Sequence, residues 1–310
     1  MQRLADLYRY IPTHSPLQKL EDALYKKHSV KLYFKRDDLL HPQFGGNKAR
    51  KLYGHVQTLM QGKYNGWITW GGPWSNHLHA FAAFSHTANI PFHVIIRGND
   101  LTYRTPLMDF IERCGGHIHF VSREQYNQTK WGDVSNILMN GNWYGVPEGG
   151  GGNPGKIGCN LLAQEILEAI QPQRICLAVG TQTTLEGLAE KNTCAITGFS
   201  ALKGLNKLND SIEITDEFCL GGYAKTSAAL MGFILDFYQQ HHILLDPVYT
   251  GKLMMGVHQR IACGDWDGET IVVIHSGGWQ GIFGYPELLQ SLRNLDSEIL
   301  KEIYEVSIKK

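Results

Sequence analysis

Along the chain the apolar positions switch repeatedly between a strand-like and a helix-like period. Short runs rich in β-branched and aromatic residues predict strands over residues 31–36, 66–70, 92–96, 117–121, 174–179, 195–199, 212–215 and 270–274. Between them, apolar residues three or four apart predict helices. One carries Leu52, Tyr53, Val56, Leu59 and Met60; others cover 78–84, 106–114 and 157–170; another carries Leu230, Met231, Phe233, Ile234 and Phe237. At the start, an extended, proline-punctuated stretch over 11–17 runs into a short helical pattern through Leu20, Ala23 and Leu24. Strands separated by helical stretches predict a parallel, right-handed α/β arrangement.

Composition narrows this picture. At 310 residues with 43% hydrophobic residues, the chain can bury a core as one large domain or as two that share a cleft. Lys plus Arg number 29 and Asp plus Glu number 29, so no electrostatic footprint for nucleic acid or an acidic membrane surface appears. Neither partner is expected. No apolar run approaches membrane-spanning length, and residues 1–6 lack the long apolar stretch of a signal peptide, so a soluble, cytoplasmic protein is expected. Cys114, Cys159, Cys176, Cys194, Cys219 and Cys263 stand singly, without a CxxC pair, and read as reduced core residues.

The chemistry-bearing stretches fall where predicted strands end. Phe44-Gly45-Gly46-Asn47-Lys48-Ala49-Arg50-Lys51 combines a tight glycine turn with Asn47 as a helix cap, so Lys48 opens a helix. A lysine held there in a partly apolar pocket can lose its proton and form a Schiff base; alternatively the stretch merely starts an amphipathic helix with solvated lysines. Asp37 and Asp38, beside Lys35 and Arg36, are expected to form ion pairs that hold the preceding loop. Ser75-Asn76-His77 ends a turn that points small polar groups at a ligand. The run 147–155 offers either a phosphate nest or a hinge between subdomains, and the hinge is preferred. Gly180-Thr181-Gln182-Thr183-Thr184 joins a strand to a helix N-terminus and suits a cofactor monophosphate, although threonine clusters also cap helices. Tyr223, Tyr249 and Ser276 lie in further turns of this kind. His77 with His79, and His117 with His119, form pairs without a third ligand, so no metal is expected.

Together these motifs resemble the pyridoxal-phosphate enzymes that include 1-aminocyclopropane-1-carboxylate deaminase and D-cysteine desulfhydrase. The resemblance rests on Lys35-Arg36-Asp37-Asp38, the Gly45–Lys51 segment, Ser75-Asn76-His77, the threonine loop, Asp246-Pro247-Val248-Tyr249-Thr250-Gly251-Lys252 and His275-Ser276-Gly277-Gly278. It implies the tryptophan-synthase-β-like fold (fold type II), with two open three-layer α/β subdomains and pyridoxal 5'-phosphate in the cleft between them. Residues 1–50 and 151–310 would form the large subdomain and 51–150 the small one. Lys48 would bind the cofactor covalently and later move the substrate proton, and Asn76 would meet its 3-oxygen. Ser75 would lie near the substrate carboxylate and reacting carbon. Gly180, Thr181, Gln182, Thr183 and Thr184 would form the phosphate loop, Tyr223 and Tyr249 the active-site tyrosine pair, and Ser276 the contact to the pyridine nitrogen. A homodimer acting on a small amino acid is implied as well.

Two departures from the family pattern stand out. Gln182 and Thr183 replace small residues in the phosphate loop. Thr250, implied as a further cofactor-binding residue at the ring, follows Tyr249 where the deaminase branch resembles Asp-Pro-Val-Tyr-Glu, with a carboxylate near the pyridine nitrogen. A carboxylate keeps that nitrogen protonated and makes the ring a strong electron sink, which opening a cyclopropane without an α-hydrogen requires. The neutral Thr250 therefore favours α,β-elimination of a D-cysteine-like amino acid to pyruvate, ammonia and sulfide. Ring opening, racemisation and cofactor binding without turnover are the alternatives.

Overall fold

The computed structural model describes residues 14–98, 103–132, 140–191, 194–205, 212–296 and 298. Residues 11–13 of the extended stretch expected over 11–17, and the N-terminal residues 1–6, lie outside them. In chain order the elements begin β1 (Leu17–Leu20), α1 (Ala23–Lys27), β2 (Lys31–Lys35), α2 (Asn47–Gln61), β3 (Gly66–Gly71), α3 (Asn76–Thr87), β4 (Phe92–Arg97), α4 (Pro106–Arg113), β5 (His117–Val121), α5 (Arg123–Thr129) and β6 (Trp143–Val146). They continue with α6 (Gly152–Ala169), β7 (Arg174–Val179), α7 (Thr183–Lys191), β8 (Ala195–Ser200), β9 (Ile212–Thr215), α8 (Ala228–His241), α9 (Thr250–Ala262), β10 (Thr270–Ile274) and α10 (Pro286–Leu295).

The strands build two sheets, ordered β1-β2-β10-β7-β8-β9 and β5-β4-β3-β6. Every described pairing is parallel except that of β1 with β2. In the larger sheet Ile175, Leu177 and Val179 of β7 face one core, while Cys176 and Ala178 face another. This alternation explains why its strands read as nearly continuous apolar runs: helices cover both faces, making three layers. The smaller sheet does the same, with Trp67, Val94 and Ile96 on one side and Ile68, Trp70 and Ile95 on the other. The α/β class expected from the alternating periods is the observed one.

Some local expectations change. The helical pattern through Leu20 gives way to β1, where Leu17–Leu20 pairs antiparallel with Leu32–Lys35, because β2 would otherwise be an open edge. Cys159, Cys176 and Cys219 are buried and free, as expected, but Cys263 is exposed past the end of α9.

Behind α2 lies a closed ionic cluster. Arg50 donates to Asp37 at 2.6 and 2.7 Å and to Glu165 at 2.7 Å; Lys35 donates to Glu165 and to the Ser15 carbonyl, each at 2.6 Å. Asp37 thus pairs with Arg50 rather than with its sequence neighbours, while Asp38 pairs with Arg36 at 2.7 Å as expected. The cluster ties β2, α2 and α6 together, and so fixes the helix that carries Lys48.

Candidate active site

The first turn of α2 rests against the loop that follows β10. Its cap is Gly46, at φ 91°, rather than Asn47. A Cβ at position 46 would stand 2.1 Å from the Ser276 carbonyl oxygen, so only glycine allows this approach. Asn47 is the first helical residue; its backbone N–H donates to the Ser276 carbonyl at 3.2 Å and its Nδ2 to Thr184 Oγ1 at 3.1 Å. Lys48 comes next and faces a cleft of about 580 Å³. The cleft walls come from segments just past the carboxyl ends of β3, β4, β6, β7, β8 and β10, the face at which open α/β sheets bind ligands.

Lys48 Nζ lies 3.4 Å from the Gly149 carbonyl. Lys51, one turn later and buried, reaches the same carbonyl at 3.2 Å and Thr181 Oγ1 at 3.4 Å. Burial and then the neighbouring Lys51 push the Lys48 ammonium well below its ordinary range; burial also lowers Lys51. Neither lysine has a carboxylate within ion-pair distance among the described residues, which leaves Lys48 disposed to be a neutral amine.

On the smaller-sheet side, Ser75 caps α3, its Oγ accepting from Leu78 N at 3.3 Å. Asn76 Nδ2 donates to the Gly278 carbonyl at 3.4 Å, and its buried Oδ1 has no partner. A Cβ on Gly278, at φ 99°, would come within 2.6 Å of that Nδ2. On the other side Gly180, Thr181, Gln182 and Thr184 line the cleft at the N-terminus of α7, and Gln182 takes a left-handed backbone, φ 59°. Tyr223 and Tyr249 stand edge to face with ring centroids 6.1 Å apart. Burial holds the Tyr249 hydroxyl well above its ordinary value, so it remains a donor, while Tyr223 stands half exposed at the cleft.

Lys48, Ser75, Asn76, Gly180, Thr181, Gln182, Thr184, Tyr223, Tyr249 and Ser276 therefore share one cavity. Thr183 and Thr250 do not line it. The Thr183 hydroxyl turns back within 3.4 Å of both Thr181 oxygens. Thr250 is buried behind the wall, where its hydroxyl donates to Asp246 Oδ2 at 2.7 Å and accepts from Asp246 N at 2.8 Å. The expected contact of Thr250 with a ligand ring is thus replaced by a turn that anchors α9. Within the stretch 147–155, Glu148 and Gly149 also line the cleft, and the carbonyl of Gly149, at φ 70°, meets both lysines.

Sequence reasoning missed Lys51, Glu148 and Arg97, all of which line the cleft. Lys51 was findable, since three residues along a helix place it beside Lys48. Arg97 ends β4, so strand-end logic also reaches it. Glu148, which accepts from the Tyr126 hydroxyl at 2.6 Å, left no signal distinct from the glycine run around it. Among the described residues no three His, Cys, Asp or Glu side chains are grouped to hold a metal ion.

The arrangement suits a flat aldehyde bearing a phosphate. An amine whose charging is disfavoured faces the cleft, hydroxyls and a helix N-terminus stand with Lys51 to receive an anion, and the orphaned Asn76 Oδ1 awaits a donor. The residues present thus fit pyridoxal phosphate.

Comparison with known proteins agrees. The family model described as "Pyridoxal-phosphate dependent enzyme" matches residues 9–193. The chain is 26% identical over 311 residues to the Arabidopsis thaliana mitochondrial bifunctional D-cysteine desulfhydrase/1-aminocyclopropane-1-carboxylate deaminase, covering 85% of this chain and 76% of that protein. It is 27% identical over 328 residues to D-cysteine desulfhydrase of Serratia proteamaculans, covering 92% and 98%. A solved structure of an ACC deaminase homologue superposes with a TM-score of 0.76 at 23% identity, covering 94% of this chain and 99% of that one; this likeness speaks for the fold.

Proposed function

The chain belongs to the pyridoxal-phosphate dependent enzyme family, and from that premise we propose that it is a deaminating lyase that eliminates the β-substituent of a small D-amino acid, D-cysteine being the type. The products would be pyruvate, ammonia and sulfide. Both the Arabidopsis thaliana and the Serratia proteamaculans relatives carry desulfhydrase names, which supports the reading. The observation that carries it is the amine of Lys48, its charged form disfavoured by its surroundings, facing the cleft that also holds the threonine loop and the tyrosine pair.

In this reading Lys48 holds the cofactor, Asn76 meets its ring oxygen, Ser276 its ring nitrogen, and Lys51 with Gly180, Thr181, Gln182 and Thr184 its phosphate. Bound pyridoxal phosphate supplies an electron sink that acidifies the substrate's α-carbon. Lys48 Nζ takes the α-proton, for which a neutral lysine is needed. Ser75 and the first turn of α3 orient the substrate carboxylate. Tyr223 and Tyr249, both protonated, orient the substrate or donate to the departing group. The only carboxylate lining the cleft among the described residues is Glu148, which binds Tyr126. Ser276 therefore leaves the sink without a carboxylate partner. That suffices when a good leaving group departs, and it disfavours opening a cyclopropane.

The proposal keeps 1–50 with 151–310 as the cofactor-holding subdomain and 51–150 as the smaller one, in a cytoplasmic homodimer. No described helix is long and apolar enough to cross a membrane. The test is keto-acid release by the purified, cofactor-loaded protein from D-cysteine and β-chloro-D-alanine. Release supports elimination; silence with both, together with opening of 1-aminocyclopropane-1-carboxylate, reverses it.

A further inference from the structure

Beside the cleft lies a second cavity of about 220 Å³ that shares Trp74, Ser75, Asn76 and Gln280 with it, so the two spaces adjoin at the proposed substrate position. Its other walls, apart from His79 and Arg113, are apolar and come from both halves of the molecule. Leu107 and Phe110 of α4 belong to the core under the smaller sheet; Phe283 and Leu289 pack on the core of the larger one. Phe110 stacks on His79, ring centroids 4.2 Å apart and 9° from parallel. His79 Nδ1 lies 3.2 Å from Gln280 Nε2, while its buried Nε2 has no hydrogen-bond partner. Burial pushes His79 down to about 3, so the imidazole is neutral and the cavity holds no buried charge; Arg113 stands exposed at the outer rim.

A cysteine or cyclopropane side chain would leave this space unused. An apolar cavity of about 150 Å³ is already enough for benzene, so one of about 220 Å³ accepts a phenyl or branched alkyl group with room for a linker. Resting on the elimination reading above, we propose that the side cavity receives the apolar arm of the leaving group, making the preferred substrates S-substituted D-cysteines. The Cα–H and Cβ–S bonds break, sulfur leaves with the bonding electron pair and gains a proton, and net addition of one water gives the apolar thiol, pyruvate and ammonium. The cavity's contribution is selective burial of that arm, which raises kcat/KM over unsubstituted D-cysteine on the order of tenfold to a hundredfold.

The test compares S-benzyl-D-cysteine with D-cysteine in the holoprotein and in two variants that narrow the cavity from opposite walls, Leu289→Trp and Leu107→Phe. Either variant alone decides the matter should the other fail to fold by circular dichroism. The expected result is a preference of at least about tenfold for the benzyl substrate in the wild type, collapsing in the variant. Binding of the unreactive probe benzyl methyl sulfide, followed by tryptophan fluorescence, supplies a readout without turnover: saturable quenching in the wild type, weakened in the variant. Saturable, variant-sensitive binding without turnover of any amino acid sustains the cavity while removing the lyase reading. Turnover of D-cysteine with no benzyl preference and no probe binding, or a preference that survives in every variant that folds, overturns the proposal and leaves the lyase reading standing.

Discussion

Arg50 and Lys51 are adjacent on α2 and both are buried, yet their surroundings differ in kind. The Arg50 guanidinium meets the carboxylates of Asp37 and Glu165, and these hold it above the ordinary arginine value despite burial. Lys51, together with Lys48 one turn back, meets a carbonyl and a hydroxyl and is driven toward neutrality. A saturated cation is part of the framework. An amine buried without a counter-ion costs stability unless something else uses it, and in the proposed function that role falls to the cofactor with its phosphate. The backbone of one helix thus transmits rigidity from the paired side to the unpaired side.

The largest effect expected from this contrast is at Lys48. Lys48→Met should abolish the visible absorbance of covalently held cofactor and lower keto-acid release by at least about 10³-fold, measured by spectroscopy and a pyruvate assay. Next, Arg50→Met leaves Asp37 and Glu165 buried and short of a partner, and should cost about 3–5 kcal/mol of folding stability in urea unfolding. If Arg50→Met were neutral while Lys51→Met unfolded the chain, the assignment of framework and function would be the wrong way round. Lys51→Met should leave the fold intact and weaken cofactor binding by about 1.5–3 kcal/mol, roughly tenfold to a hundredfold in dissociation constant by fluorescence titration. Thr250→Val should cost about 1–2 kcal/mol of stability, through the loss of its bonds to Asp246, with cofactor affinity unchanged. A large loss of cofactor affinity there would restore Thr250 to the ligand's surroundings.

The pH dependence of the cofactor-free protein sharpens the same contrast. Burial places the folded pKa of Lys48 and Lys51 below the ordinary lysine value. Between the folded and unfolded values the unfolded chain binds more protons, so stability should rise with pH toward that ordinary lysine value. Below the folded values this contribution to the slope vanishes. Lys48→Met should be more stable than the wild type near neutral pH and show a flatter rise, read from urea midpoints between about pH 7 and pH 10.

Much of this was legible in the chain, and for a local reason. Strand periods, helix periods and turn chemistry depend on neighbours in sequence, so the parallel α/β class and the strand-end positions of Ser75, Thr181 and Ser276 could be read directly. The motif around Lys48 could be read too, although its cap moved from Asn47 to Gly46, because the deciding contact is the Ser276 carbonyl, remote in sequence. The antiparallel β1, the pairing of Asp37 with Arg50 and Glu165's place beside them, the withdrawal of Thr250 behind the wall, and the contact of the Gly149 carbonyl with both lysines were all decided by groups brought together only by the sheets. Sequence alone determined which residues could do the chemistry, since that follows from side-chain type and local backbone. Tertiary structure decided which charges are satisfied and which left wanting, because burial and pairing are properties of the packed whole.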